Sequence, residues 1–551
     1  MPIKLDPVFY ESFFVYDYET AGLDKNHSQP VQGAWIYTDS QLNIIQGSDQ
    51  NVYCKMRLDV VPSIDAFMIT KIDPKTLEEK GVSEYEFAKI VQHAMQQKPN
   101  TCISGYNTMA FDDEVTRNLM FRNNRRMYDH EWKNNNGRVD FYNLLKMTYA
   151  YFPNLINFPH NEEGKISLKL EDLCRANNLL HESAHDALSD VIATVQLAKL
   201  IRDKKPRLFD YFLKLSSKNN VKNLLTERKP MFYTERVIDE ANYFTTLIYP
   251  LVMDPKNNNA FICVDLTKDP TTLINSSAEE IQKLVFTKRA ELPEDAPRLG
   301  LHSIKTNKQP IIKEVDDQSS SLLYKRFNID REQCDRNLAL INEAIKNDPY
   351  FLTKLQAAFE SNLPDKSDVY GTLYSGGFLS NNDMAIRDSM HHIVDFSSNA
   401  TRLEKTDVYD QALKANDKKR IADLLLRSKW NTHMDNLLSS GEYSKVEFRN
   451  YLSYVSKMVS FKLPDADNET ISSFKTRLKE LPFERALTDE EKYILKGLER
   501  HVAKMESSLS ELREIDKQNE SEYKVEISGD SSFKKFTIQT RELEKNQNLS
   551  M

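Results

Sequence analysis

The stretch Phe13–Thr20 constrains the fold of this chain more than any other, because it is an apolar, strand-like run that carries two carboxylates. Residues two apart in a β-strand face the same side, so Asp17 and Glu19 are expected to point together. Two like charges on an apolar strand are costly unless a cation joins them, and hard divalent cations such as Mg²⁺ take carboxylate oxygens. Taken alone, the pattern favours an edge strand that ends in a solvated acidic turn.

A second acidic stretch, Gly105–Glu114, follows a short apolar strand pattern that ends at a glycine. The chain then turns and a predicted helix opens with Asp112 and Asp113. An acidic residue at a helix N-terminus is electrostatically favourable, so helix capping by itself explains this stretch.

The third stretch, His185–Asp190, precedes and enters a predicted helix. Five residues along a helix turn through about 500°, so His185 and Asp190 converge only if His185 lies in the entering loop and Asp186 is the N-cap. The alternative is a surface histidine beside an ordinary cap. A histidine held beside a metal carboxylate can accept a proton from a metal-bound water.

Together, the three stretches supply four carboxylates, Asp17, Glu19, Asp112 and Asp190, and one histidine, His185. This set suits a two-metal phosphodiesterase, in which two Mg²⁺ ions about 3.5–4 Å apart clamp the attacking and leaving oxygens. His185 is then expected to act as the general base.

Composition limits the alternatives. A chain of 551 residues is too long for one core, so two to four domains are expected. The formal net charge of −8 argues against a generally basic nucleic-acid binder but allows a local basic groove. The five cysteines form no zinc-type pair and no disulfide framework, which favours a reducing cytoplasm. No apolar run is long enough to span a bilayer, and no signal-peptide pattern opens the chain.

The order of predicted elements divides the chain into an α/β part up to about residue 205, a part with short strands from 206 to 360, and a mostly helical part from 361 to 510. The first three strands should form an antiparallel meander. The middle part favours a small barrel or sheet flanked by helices. In the charged tail, 511–551, Tyr523–Ile527 and Phe533–Ile538 alternate around a Ser-Gly-Asp turn, and a hairpin and disorder fit equally well.

The three acidic motifs, Asp17-x-Glu19, Asn107 through Phe111-Asp112, and His185 through Asp190, resemble those of the DEDDh exonucleases, which have a ribonuclease-H-like core. Further stretches resemble bacterial exonuclease I, and they cover Tyr106–Asn118, Ala184–Ala187, Lys205–Tyr211 and Leu373–Phe378. The resemblance implies a 3′→5′ exodeoxyribonuclease that acts on single strands, releases 5′-mononucleotides and serves DNA repair and recombination. It also implies the architecture: a DEDDh exonuclease domain (1–205), a small Src-homology-3-like barrel domain (206–360), a helical domain (361–510) and a tail of unknown role.

By the same resemblance, Asp17, Glu19 and Asp190 hold one Mg²⁺, and Asp17 with Asp112 serves a second, with Mn²⁺ able to substitute. Contacts with the terminal nucleotide are expected from Glu19 and Lys169. Four further positions match the DNA contacts of the family: Arg117, Tyr128, Trp132 and Lys146. Core packing is the alternative for the two aromatic residues, and a solvated helix face is the alternative for the two cations.

The family also docks the acidic C-terminal tail of single-stranded DNA-binding protein, and Lys229 and Arg331 are the candidates for that contact here. Phe152 stands where an arginine is common in related chains. We expect a cytoplasmic monomer without membrane contact. A DEDDh enzyme for RNA or for proofreading is the alternative function, but such enzymes are usually much shorter. A non-enzymatic DNA-binding scaffold is disfavoured because all five catalytic positions are filled.

Overall fold

The computed structural model describes residues 4–179, 186–315, 320–360, 366–395 and 407–527. The strands are β1 (Ser12–Thr20), β2 (Pro30–Asp39), β3 (Gln50–Tyr53), β4 (Thr101–Ser104), β5 (Gly137–Arg138), β6 (Met231–Thr234), β7 (Thr245–Met253), β8 (Ala260–Asp265), β9 (Leu301–Lys305) and β10 (Ile311–Glu314). The helices before residue 300 are α1 (Ile64–Thr70), α2 (Pro74–Lys80), α3 (Glu84–Gln96), α4 (Asp112–Arg122), α5 (Asp129–Trp132), α6 (Phe141–Tyr151), α7 (Leu170–Ala176), α8 (Ala187–Lys204), α9 (Pro206–Lys214), α10 (Lys218–Thr226), α11 (Thr271–Asn275) and α12 (Ala278–Phe286).

The later helices are α13 (Ser320–Arg326), α14 (Arg331–Asn347), α15 (Phe351–Ala358), α16 (Thr372–Ser375), α17 (Asn381–Asp395), α18 (Val408–Ala412), α19 (Lys418–Ser440), α20 (Lys445–Ser460), α21 (Ile471–Glu484) and α22 (Asp489–Ile527). Short 3₁₀ helices cover Lys133–Asn135, Glu240–Asn242, Arg289–Glu291 and Val369–Gly371. Among the described residues, no helix is both long and apolar enough to cross a membrane.

Strand β1 lies at the centre of the first sheet, whose order is β3-β2-β1-β4-β5. It pairs antiparallel with β2 and parallel with β4, and β2 pairs antiparallel with β3, which confirms the predicted meander. Its residues alternate between two cores: Phe13 and Val15 pack in the core that contains α6 and α8, and Phe14 and Tyr16 in the core that contains α3 and α4. Because both faces are covered, β1 is apolar from Phe13 to Tyr16, directly before Asp17.

Helix α9 continues the first domain past the expected boundary at residue 205. Phe209 packs on Phe13 of β1 at a ring distance of 6.1 Å, and Phe212 stacks on Phe141 of α6 at 6.4 Å. Helix α9 therefore packs on the core of the first domain, while Tyr211 on the same helix donates to Ile312 O of the second sheet at 2.8 Å.

The second sheet has the order β10-β6-β7-β8-β9, and every pairing in it is antiparallel. Helices α12 and α14 flank it, as the sequence predicts. The short-strand character of this region is thus confirmed as a small all-antiparallel β domain.

The helical domain packs on the first domain through α22. A capping box starts this helix, since Thr488 Oγ1 accepts from Glu491 N at 3.2 Å and the Glu491 carboxylate accepts from Thr488 N at 2.9 Å. The helix crosses residue 510 without a break, and Leu512 is buried in the core, so the domain extends past the expected end. The hairpin alternative is wrong for Tyr523–Ile527, which continue the helix. The second half of the predicted hairpin, Phe533–Ile538, lies outside the described residues.

Buried charges also join these two domains close to the end of β1. His27, in the loop between β1 and β2, has one ring nitrogen 3.0 Å from Asp24 and the other 3.2 Å from Asp368 of the helical domain. Arg427 of α19 donates to both oxygens of Asp368 at 2.6 and 2.9 Å. Burial alone would lower the pKa of His27, but the hydrogen bonds and charges of Asp24 and Asp368 outweigh burial. The pKa of His27 is therefore raised, which favours the imidazolium. The loop after the acidic strand is therefore fixed to the helical domain.

Candidate active site

Three carboxylates converge where β1 emerges from the sheet. Asp17 and Glu19 continue the face of β1 that carries Phe13 and Val15, and that face looks towards α8. Asp190 lies in the first turn of α8. One carboxylate oxygen from each of Asp17, Glu19 and Asp190 lies within 4.8 Å of the others, and all three residues are half-buried. This is the convergence that the sequence predicts from the first and third motifs.

Asp112 approaches the same strand from helix α4. It is the first residue of α4, and its Oδ1 accepts a hydrogen bond from Tyr18 N at 3.2 Å. The preceding turn is tight: a Cβ on Gly105 would lie 2.5 Å from the carbonyl oxygen of Tyr16, so glycine is required at this close approach. Asp112 stands beside the trio rather than within it.

Asp140 fixes the loop that leads into α4. Its carboxylate accepts from Asn107 N at 2.8 Å and from Met109 N at 3.0 Å, and it also caps α6 through Tyr142 N at 2.9 Å. Sequence analysis did not single out this residue, although an aspartate directly before a predicted helix is a capping signal.

Burial and mutual repulsion make the ionised carboxylates unfavourable unless a cation binds beside them. Burial and the neighbouring Asp112 and Glu19 raise the pKa of Asp17 well above its usual range. Burial, followed by Asp190, raises the pKa of Glu19 to about 9, and burial, followed by Asp113, raises that of Asp112 to about 8. No lysine or arginine among the described residues forms an ion pair with Asp17 or Glu19. An all-oxygen donor set with mutual repulsion fits a hard divalent metal ion.

A fifth carboxylate, Asp186, stands next to this group. It is the N-cap of α8, as predicted, and its Oδ2 accepts from Ser189 N at 3.3 Å. Its Oδ1 accepts from Gln32 Nε2 at 3.1 Å, and Gln32 lies on β2 directly opposite Glu19. The charge of Asp186 adds to the raised pKa of both Asp17 and Glu19. Gln32 and Asp186 are 154 residues apart, so no local pattern in the sequence announces this pair. The neighbouring His185, predicted as the general base, lies outside the described residues.

The predicted DNA contacts lie along α4 to α7 in different environments. Arg117 is buried and donates to both oxygens of Glu131 at 2.7 and 3.0 Å and to Glu114 at 2.8 Å. Its guanidinium stands 5.4 Å from the ring centre of Tyr128, which is half-buried. Trp132 is 64% exposed, so core packing does not explain it.

The two lysines of this set differ in the same way. Lys146 is buried and pairs with Glu235 of the second domain at 2.7 Å. Lys169 precedes α7 and is exposed. The solvated helix face considered for Arg117 and Lys146 is wrong, because both side chains are enclosed by carboxylates of other elements.

Of the two residues predicted to meet a protein partner, Lys229 is half-buried and Arg331 is exposed, and both belong to the second domain. Lys229 stands 3.4 Å from Glu227 and 3.7 Å from Glu314, and Arg331 stands 3.7 Å from Asp335. Glu314 also lines an apolar cavity of about 880 Å³ between the first two domains, together with Phe152, Tyr211 and Leu323. Four cationic side chains line the same cavity: Lys205, Arg207, Lys313 and Arg326.

Two family models match the chain: one described as "Exonuclease" over residues 14–198, and one described as "Exonuclease I SH3-like domain" over residues 216–361. The exodeoxyribonuclease I of Haemophilus influenzae is 37% identical over 390 residues, which cover 69% of this chain and 80% of that protein. The Escherichia coli exodeoxyribonuclease I is 34% identical over 378 residues, which cover 68% of this chain and 78% of that protein.

Solved structures give the same match over a longer stretch. Escherichia coli exonuclease I in complex with a dA16 oligonucleotide aligns with a TM-score of 0.79 and 29% identity, covering 90% of this chain and 100% of that one. The zinc-bound form of the Escherichia coli exonuclease I complex with single-stranded DNA aligns with a TM-score of 0.78 and 29% identity, covering 90% of this chain and 99% of that one.

Proposed function

The chain belongs to the exodeoxyribonuclease I family, and from that premise we propose how its residues serve a 3′→5′ exonuclease of single-stranded DNA. The observation that carries the proposal is the trio of Asp17, Glu19 and Asp190 at the end of β1, with its carboxylate oxygens within 4.8 Å of one another. The family relationship supplies the substrate class, and the trio supplies the chemistry. The biological setting that we propose is DNA repair and recombination.

The trio holds one divalent cation in this proposal, and Asp17 with Asp112 serves a second. We propose Mg²⁺ as the physiological ion, with Mn²⁺ able to replace it, because the donors are all carboxylate oxygens. Bound there, the ions supply the positive charge that stabilises the transition state and acidifies the attacking water.

The remaining steps belong to side chains of the chain itself. His185 accepts the proton of the attacking water, and Asp186 beside it starts α8 and is held by Gln32. Glu19 and Lys169 contact the terminal nucleotide. The exposed indole of Trp132 offers a stacking face for a base.

Arg117, Tyr128 and Lys146 complete the strand-binding set in this proposal. Arg117 and Lys146 reach phosphate only by exchanging carboxylate partners, since Glu131 and Glu235 hold them in the DNA-free protein. Each exchange replaces one charge-assisted contact with another, so these two cations add less affinity than free surface cations would. Stacking on Tyr128 and Trp132 is then the larger contribution.

The test uses single-stranded DNA labelled at the 3′ or the 5′ end, blunt duplex DNA and RNA, each incubated with Mg²⁺, Mn²⁺ or EDTA. We expect mononucleotide release from the 3′ end of single-stranded DNA only, lost in EDTA and in Asp190→Asn. The matched control is Asp203→Asn, which changes a carboxylate in the last turn of the same helix and should keep full activity. Preferred cleavage of RNA would support the RNA-directed alternative, and tight binding without cleavage would support the scaffold.

We further propose that the acidic C-terminal tail of single-stranded DNA-binding protein docks at the cavity between the first two domains. The apolar lining suits an apolar side chain of the tail, and the four cations that line the cavity suit its carboxylates. Lys229 is ion-paired with Glu314, which lines the cavity. Arg331 lies over the ring of Tyr324, the chain neighbour of the lining residue Leu323.

Fluorescence anisotropy of a labelled tail peptide tests this docking. Arg207→Ala should weaken binding, whereas Arg175→Ala, on the exposed face of α7, should not. Equal binding of a scrambled acidic peptide would show charge attraction without a specific pocket. We also propose a cytoplasmic location, which fits five cysteines that are all buried and unpaired, and a monomeric state. Light scattering in solution measures the mass.

A further inference from the structure

The turn between β9 and β10 of the second domain makes contacts with the first domain beside the start of α4. Asn307 O accepts from Arg138 Nη2 at 2.8 Å, and Arg138 is also ion-paired with Asp113, the chain neighbour of Asp112. The next two residues of the turn, Lys308 and Gln309, bond to the first domain as well. Three consecutive residues of one turn therefore cross the boundary between the two domains.

Gln309 is fixed in this turn by its side chain. It is 2% exposed, its Oε1 accepts from Asp140 N at 3.0 Å, and its Nε2 donates to Phe212 O at 3.1 Å. Because a backbone N–H only donates and a carbonyl oxygen only accepts, these two partners allow one orientation of the amide. The backbone of Gln309 is left-handed, with a φ of +45°, a conformation that glycine adopts at lower cost. A glutamine at such a position indicates that its side chain has a role.

Asp140, the partner of Gln309, supports the turn that leads into α4. Its carboxylate accepts from Met109 N at 3.0 Å, and on the other side Lys308 Nζ donates to Met109 O at 3.0 Å and to Glu114 Oε1 at 2.8 Å. Both polar groups of the Met109 backbone are thus held, three residues before Asp112. Since Gln309 holds the backbone of Asp140 and Asp140 holds this turn, the place where α4 begins depends on the second domain.

We propose that Gln309 is a positioning residue for Asp112, and that it acts through Asp140 across the domain boundary. The inference rests on the proposed function, in which Asp112 serves the second divalent ion. Residues that orient a metal ligand without touching the metal typically change metal affinity or activity by about 10- to 100-fold when they are replaced. In this arrangement the second domain completes the catalytic site of the first.

The experiment uses two replacements of Gln309 in the full chain. Gln309→Met keeps most of the side-chain volume but removes both hydrogen bonds, and Gln309→Gly removes the side chain at a φ that suits glycine. The matched control is Gln356→Met, since the half-buried Gln356 of α15 also donates to a backbone carbonyl, that of Met253 at 3.1 Å, but within the second domain.

Three quantities are measured for each variant. Calorimetry follows Mg²⁺ binding to the DNA-free protein, a Mg²⁺ series gives the concentration that half-activates hydrolysis, and filter binding in EDTA gives the affinity for a 16-nucleotide single strand. We expect both Gln309 variants to bind Mg²⁺ more weakly and to need about 10- to 100-fold more of it for hydrolysis. Strand affinity in EDTA should stay the same, and Gln356→Met should match the unaltered protein in all three measurements.

Other results would overturn the inference. A Mg²⁺ response that is the same in the Gln309 variants and in the unaltered protein would show that Asp112 does not depend on the turn. Equal losses in Gln309→Met and Gln356→Met would show general destabilisation, and a loss of strand affinity with the Mg²⁺ response kept would assign the turn to DNA binding instead. Gln309→Gly decides the matter if thermal unfolding shows that Gln309→Met does not fold. If the unaltered protein did not hydrolyse single strands in Mg²⁺, the proposed function would fail first, so the two failures are distinguishable.

Discussion

Glu19→Gln should make the metal-free protein more stable although it removes a proposed metal ligand. Burial, followed by the charge of Asp190, raises the pKa of Glu19 from its ordinary value of 4.5 to about 9. At pH 7 the unfolded chain therefore carries an ionised Glu19, whereas the folded protein must bind a proton at this position. That proton uptake works against folding at every pH between the two values.

The cost of this proton uptake to the free energy of folding follows from the difference between pH 7 and the ordinary pKa of 4.5. Each pH unit of proton uptake costs about 1.4 kcal/mol, so the penalty at pH 7 is about 3 kcal/mol. Because the pKa of the Glu19 carboxyl is raised in the folded state, its contribution to the free energy of unfolding is most favourable below pH 4.5 and becomes less favourable as the pH rises towards 9. Glutamine has nearly the same shape and never ionises, so we expect it to recover about 1–3 kcal/mol at pH 7 and almost nothing at pH 4.5.

Glu131→Gln is the matched control, because the same chemical change should have the opposite sign there. Burial would raise the pKa of Glu131, but Arg138 and Arg117 outweigh burial and lower it to about 2. This carboxylate stabilises the fold above pH 4.5, and its contribution is lost as the pH falls towards 2. We expect its replacement to destabilise the protein by about 3 kcal/mol at pH 7.

The assay is urea denaturation of the unaltered protein and both variants in EDTA, at pH values from 4.5 to 8. The reasoning is refuted if Glu19→Gln is no more stable than the unaltered protein at pH 7, or if both variants shift stability in the same direction. Adding Mg²⁺ should reverse the order of Glu19→Gln and the unaltered protein, because bound metal stabilises only the protein that keeps its ligands.

Three further outcomes are expected. Asp190→Ala should lower the rate of hydrolysis by more than about 100-fold while single strands still bind, measured by mononucleotide release and by filter binding in EDTA. His185→Ala should lower the rate by about 10²–10⁴ with metal binding kept, and calorimetric titration of metal into the variant would expose a lost site instead. Asp368→Asn should destabilise the protein by about 3–5 kcal/mol, because it leaves the buried Arg427 without its carboxylate, and thermal unfolding measures this with the partly exposed Asp417→Asn as the control.

The convergence of the three carboxylates was predictable because each part of it follows a local rule. Strand alternation puts Asp17 and Glu19 on one face, and the capping aspartate Asp186 fixes where α8 starts and hence where Asp190 points. The helix through residues 523–527 was not predictable in this way. A short alternating stretch such as Tyr523–Ile527 satisfies strand and helix patterns alike, and only continuity with the preceding helix decides between them.

Partners far apart in the chain explain most of what sequence analysis missed. Arg117 sits on α4 like a surface cation, and the pairing with Glu131 depends on how a short helix after α4 folds back. Lys146 meets Glu235 only because the second domain packs against α6. The resemblance predicted DNA contacts for both side chains, whereas their burial and charge partners are properties of the assembled fold. The same holds for Gln32 and Asp186.

The packing of α22 on the first domain has a consequence during synthesis on the ribosome. Lys71, which ends α1, pairs with Glu491 at 2.7 Å, and these residues are 420 positions apart. At about 5–20 residues per second, the apolar side of α1 and α2 waits roughly 20–80 s after its emergence before α22 is made. Over that interval the apolar side of Phe67 and Leu77 that α22 later covers faces water or a chaperone, so the nascent first domain is open to aggregation until α22 packs on it.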